Sequence, residues 1–69
     1  MEITVYENNR KDSPRIVDVE EVVERAQEKY DHLIPERSIK LALTDFVSFD
    51  PQSADYRRFS SLAMSRLIH

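Results

Sequence analysis

Glu20, Glu24 and Glu28 recur at every fourth residue. On a helix that interval stacks three carboxylates along one face. Such a row can hold a divalent cation, or divide into an acid and a base, provided a second element brings further ligands. The next helical stretch brings only Glu36 and Asp45. The row therefore reads as a solvated acidic face. His32 and His69 are the two histidines, and neither belongs to a His-x-x-x-His or His-x-x-Glu spacing, so a zinc site lacks its ligands. The chain has no cysteine, which excludes disulfides, thiolate metal sites and a cysteine nucleophile. None of its serines lies in a nucleophile context or beside a His–Asp pair. Glycine is also absent, where a usual frequency of about 7% leads one to expect several. That rules out the glycine fingerprints of the P-loop, the dinucleotide fold and the nucleophile elbow. It also rules out a standard EF-hand loop. No catalytic residue, bound metal or cofactor is expected, and the reading is non-enzymatic.

The elements that position these residues follow from periodicity. Residues 2–6 alternate apolar and polar and are rich in β-branched and aromatic types, so they read as a strand. Asn8 and Asn9 follow, the best substitutes for glycine where a turn needs positive φ. Arg15-Ile16-Val17 reads as a second short strand closing an irregular hairpin. Two such strands need a helix or another chain to pack on. Asp18-Val19-Glu20-Glu21 fits a capping box. Val19, Val22, Val23, Ala26 and Tyr30 then recur at steps of three and four, giving an amphipathic helix over about 19–31. Glu21 and Arg25 stand at i and i+4, the favourable order for a helix pair. Pro35 suits the first turn of a second helix. Its stripe is Ile39, Ala42, Leu43, Phe46 and Val47, ending at Asp50-Pro51. Asp50 or Ser53 caps a third helix, with Tyr56, Phe59, Leu62, Ala63 and Leu67 as its stripe. Tyr30, Tyr56 and Phe59 read as core, since aromatics that stack on bases sit on an exposed sheet among basic residues. The expected fold is α+β and mainly α: a short N-terminal strand or hairpin, then three amphipathic helices. Residues 1–69 make one domain, with a β element and loop over 1–17 and a three-helix region over 18–69.

Hydrophobic residues make up 41% of the chain and charged residues 33%, a folded composition with a charge excess that suits a small domain. No apolar stretch approaches the roughly 20 residues of a membrane-spanning helix. The first fifteen residues lack the apolar core of a secretory signal. A cytoplasmic protein without membrane contact is expected. The net charge of −3 is unevenly placed. Residues 18–31 carry six acids against Arg25 and Lys29, whereas residues 51–69 carry Arg57, Arg58 and Arg66 against Asp55.

A domain this short buries only about 60% of its unfolded surface. Leu33, Ile34, Leu41, Phe49, Met64 and Ile68 lie off the main stripes and exceed what such a core easily covers. Surplus apolar surface on a small protein marks self-association or a partner site. The first expectation is thus a small regulatory or protein-binding module that forms a homodimer. Its acidic helix, with Glu20, Glu24 and Glu28, would steer a basic partner. Leu33, Ile34, Leu41 and Phe49 would supply the apolar contact.

A second expectation comes from residues 15–49. A short Arg-Ile-Val ribbon, a capped helix, a turn, and Pro-Glu-Arg-Ser-Ile-Lys-Leu-Ala-Leu opening a second helix resemble the ribbon-helix-helix pattern. The resemblance implies a dimer that lays a ribbon of one strand per protomer in the DNA major groove. Arg10, Lys11 and Arg15 would be the basic residues near that ribbon. Residues 50–69 would be an added helix for a protein partner, as in antitoxins. The net acidity and the three-residue ribbon weigh against this reading.

Overall fold

The computed structural model describes residues 1–67, except for the side chain of Asn9. Ile68 and His69, named above as surplus apolar residue and terminal histidine, lie outside the described residues. The order is strand β1 (Glu2–Tyr6), a 3-10 turn (Glu7–Asn9), strand β2 (Pro14–Asp18), then helices α1 (Val19–Lys29), α2 (Pro35–Thr44) and α3 (Ala54–Leu67). This is the hairpin-plus-three-helices architecture expected from the sequence.

β1 and β2 pair antiparallel, with Ile3 opposite Val17 and Thr4 opposite Ile16. Alternation sends Ile3, Val5 and Val17 into the core, while Thr4 and Ile16 face solvent. The loop closes on its own backbone. Glu7 N–H donates to the Ser13 carbonyl at 3.0 Å, and Ser13 N–H donates to that of Arg10 at 3.0 Å. Asn8 takes a left-handed conformation with φ of 50°, which asparagine tolerates better than most residues. Its N–H donates to the Ser48 carbonyl at 3.0 Å, pinning the loop to the α2–α3 connection.

Asp18 caps α1 by accepting the Glu20 N–H at 3.0 Å. Val19 N–H, another donor the helix leaves free, reaches back to the Met1 carbonyl at 2.8 Å. The far end of α1 lacks a glycine cap and is closed from outside. Ser38, on α2 and only 2% exposed, donates its hydroxyl to the Tyr30 carbonyl at 2.7 Å, with the Ala26 carbonyl at 3.4 Å. Leu33 N–H donates to the same Tyr30 carbonyl at 3.1 Å. One oxygen thus gathers the end of α1, the turn and the first turns of α2.

Pro35 opens α2 as expected, since its missing N–H costs nothing in the first turn. The end of α2 corrects the sequence reading. The helix stops at Thr44, short of the expected Asp50-Pro51. Asp45 and Phe46 N–H groups bond three residues back, to the Ala42 and Leu43 carbonyls, tightening the last turn. Phe46 and Val47 still pack on the core, but from the connection. The apolar spacing predicts burial and not conformation here: a tightened turn, closed by the Phe46 and Val47 N–H groups on the Leu43 carbonyl, presents both residues inward. Asp50 caps a turn by accepting Gln52 N–H at 2.9 Å, and Ser53 caps α3 by accepting Tyr56 N–H at 3.1 Å.

One core joins all five regular elements. Val5, Val19, Val22, Ile39, Leu43 and Phe59 are its largest fully buried side chains. Phe49 stacks on Tyr56 with ring centroids 4.8 Å apart and planes 16° from parallel. Burial pushes the Tyr56 phenol above its ordinary pKa. Replacing Ser38 by Ala should lower the unfolding free energy by about 1 kcal/mol, because the part-buried Tyr30 carbonyl loses its one side-chain donor. Urea unfolding followed by circular dichroism measures this.

Candidate protein-interaction surface

The three glutamates of α1 are not equivalent in the fold. Glu20 is held on both oxygens: Arg66 Nε donates to Oε1 at 2.7 Å, and the Met1 amine donates to Oε2 at 2.6 Å. This knot ties the first turn of α1 to the last turn of α3 and to the start of β1. The hydrogen bond from the amine, and then that from Arg66, hold the Glu20 carboxyl down at a pKa of about 2. The hydrogen bond to Glu20 raises the Met1 amine above its ordinary value of 8.0. Glu24 and Glu28 are exposed, and among the described residues neither makes an ion pair.

Among the described residues Glu21 also pairs with no cation, which corrects the expected pairing with Arg25. Arg25 turns across the helix interface instead, its Nη1 donating to Asp45 Oδ2 at 3.1 Å. The same oxygen accepts the Tyr30 hydroxyl at 3.0 Å and lies 3.6 Å from Lys29 Nζ. Arg25 also covers the Phe46 ring at 5.3 Å from its centroid. Desolvation acts to raise the Asp45 pKa, but the hydrogen bonds from Tyr30 and Arg25 and the charges of Lys29 and Arg25 outweigh it and lower the value. Sequence reasoning missed this cluster. Asp45 stands 20 residues from Arg25, and no local periodicity links them.

The apolar candidates divide. Phe49 is half-buried through its stack on Tyr56, and Leu33 is half-buried at the α1–α2 turn. Both serve the interior in part. Ile34 remains 63% exposed and Leu41 39%. They lie seven residues apart, two turns along one side of α2 and its cap, beside exposed Arg37 and Lys40. The most exposed large apolar residue among the described ones is Ile16 at 71%, which the sequence reading places in the Arg-Ile-Val ribbon but not in the apolar contact surface. Its alternation on β2 was the available signal.

The basic candidates Arg10, Lys11 and Arg15 are all exposed on or beside the hairpin loop. Arg10 lies 3.6 Å from Asp12 and Arg15 lies 3.4 Å from Glu7, so two of the three have an acidic neighbour. Among the described residues, no group of three His, Cys, Asp or Glu side chains could hold a metal ion. No described helix is long and apolar enough to cross a membrane.

Fold and surface together define a small hairpin-and-three-helix protein whose distinctive chemistry lies on its exterior. No protein-family model matches the chain, and no curated protein or solved structure matches it at significance.

Glu20 and Asp45 both have depressed pKa values in the folded chain. The stability they contribute is therefore present above their unfolded pKa values, 4.5 and 3.8, and is lost as pH falls through the folded ones. The raised Met1 amine acts oppositely: its contribution is present below 8.0 and is lost as pH rises through the folded value. Thermal melts across pH should give a plateau that falls toward acid below about pH 5. Glu20→Gln with Asp45→Asn should flatten that acid limb.

Proposed function

We propose that this chain is a small non-enzymatic protein-binding module of the cytoplasm, with a regulatory role. It self-associates and presents the exposed acidic side of α1 to a basic surface on a protein partner. The observation that carries the reading is the contrast within the acidic residues. Glu20 and Asp45 each have two or more cationic partners. Glu24 and Glu28 are left exposed and unpaired among the described residues. Fully hydrated carboxylates one helical turn apart repel each other, and a cationic partner relieves that repulsion. Ile34 and Leu41 supply apolar area elsewhere on the surface.

One observation favours the second reading, a ribbon-helix-helix type DNA binder. Arg15, Ile16 and Val17 lie within a five-residue strand that runs directly into α1. In that reading Arg10, Lys11 and Arg15 contact phosphates and α3 receives a protein partner. Against it stand the net charge of −3 and the acidic neighbours of Arg10 and Arg15, which lie 3.6 Å from Asp12 and 3.4 Å from Glu7.

Affinity capture from the source cell followed by mass spectrometry should return a protein with a basic surface. Glu24→Lys with Glu28→Lys should weaken that complex about tenfold or more while leaving the melting temperature unchanged. Unchanged affinity in the double variant removes α1 as the docking face. Duplex DNA titrated at low salt separates the two readings, since phosphate contacts would give tight binding with a steep salt slope.

A further inference from the structure

The outer edge of β2 is open, and its geometry matches a second copy of itself. The ladder between β1 and β2 continues at both ends through bonds that join Val19 N–H to the Met1 carbonyl and Glu7 N–H to the Ser13 carbonyl. All four are odd-numbered residues. Hydrogen-bonded and non-bonded pairs alternate along an antiparallel ladder. Residues 3, 5, 15 and 17 therefore carry the internal bonds, and Pro14, Ile16 and Asp18 turn their peptide groups outward. Among the described residues, no hydrogen bond reaches the Ile16 N–H or carbonyl from elsewhere in the chain. An open groove runs beside this edge, its lining including Arg15, Ile16, Phe46 and the acids Glu2, Asp18 and Glu21.

We propose that two copies join antiparallel along β2, about a twofold axis at Ile16, making one four-stranded sheet. This deepens the proposed self-association and rests on that reading. The two outward Ile16 peptide groups face each other and exchange both hydrogen bonds. The next outward pair sets Asp18 of one copy against Pro14 of the other. Asp18 N–H donates to the Pro14 carbonyl. The return bond would need an N–H on residue 14, which proline lacks. The acceptor for that bond would be the Asp18 carbonyl, which as N-cap already accepts within α1. A proline on a sheet edge ordinarily blunts it; at this register it removes one bond from each Asp18–Pro14 pair, and the Asp18 carbonyl keeps its partner within α1.

Side chains agree with the backbone. The Ile16 side chains, 71% exposed in the single chain, become direct neighbours on the outer face of the joined sheet. Charge is self-complementary too. Arg15 lies at one end of the edge, and Asp18 and Glu21 at the other. An antiparallel copy brings the Arg15 end of each chain to the acidic end of its mate, as an isologous interface requires.

Sedimentation equilibrium on the whole chain, over micromolar to millimolar concentration, tests this. The wild type should form dimers. Ile16→Pro removes an outward N–H without breaking an internal ladder bond, and should raise the dissociation constant about tenfold or more. Arg15→Glu should weaken the dimer, and Arg15→Glu combined with Glu21→Lys should recover much of the loss. Should Ile16→Pro fail to fold, amide exchange on the wild type decides: Ile16 and Asp18 amides should gain protection as concentration rises. A dimer indifferent to these variants, or whose two amides stay unprotected, overturns the β2 edge and leaves self-association standing. A wild type that is monomeric throughout overturns both.

Discussion

The hydrogen bond from the Ser38 hydroxyl to the Tyr30 carbonyl sets how α1 and α2 meet. A helix end that is neither capped nor hydrated leaves carbonyls without donors. Here one donor comes from the turn and the other from the next helix, so closing α1 and docking α2 are linked. Once α2 lies along α1, Asp45 comes within reach of Arg25, Lys29 and Tyr30. A buried hydroxyl thus fixes the start of α2 against the end of α1, and a polar cluster fixes the end of α2 against the same half of α1. Between them Ala26, Ile39, Ala42 and Leu43 pack without exposure.

The absence of glycine makes this arrangement intelligible. Each reversal uses a different substitute. Asn8 takes the left-handed conformation in the hairpin loop, Ser38 closes α1, and Asp50 with Ser53 turns the chain into α3. These devices spend side chains on the backbone, which leaves few polar groups inside for chemistry. Every buried side-chain nitrogen or oxygen among the described residues has a partner. Chemical capacity is therefore concentrated on the surface: the free acids of α1, the apolar and basic side of α2, and the open edge of β2.

Much of this was legible in the residue order. The strand over 2–6, the cap at Asp18, the start of α2 at Pro35 and the stripe of α3 rest on local rules of alternation, capping and ring closure, and local rules can be read without coordinates. Two errors share a cause. The sequence reading ran α2 on to Asp50 because Phe46 and Val47 kept the helical spacing, yet the chain buries them from a tightened turn. It gave Arg25 to Glu21 because they are neighbours along one helix, yet Arg25 bonds to Asp45 across the interface. Spacing along a chain cannot weigh a nearby partner against a distant one.

The sequence by itself determined the class of element at almost every position, the excluded chemistries and the acidic character of α1. Those follow from residue types and periods of two and 3.6. Tertiary structure alone decided which charges are satisfied and which edges are open. Glu20, Glu24 and Glu28 are identical in type and evenly spaced, yet only Glu20 meets Arg66 and the Met1 amine, because packing brings the last turn of α3 and the start of β1 beside that one side chain. Ile16 is an ordinary strand residue until the register turns its peptide groups outward. Both distinctions arise from contacts between segments far apart in sequence, and packing in three dimensions sets those contacts.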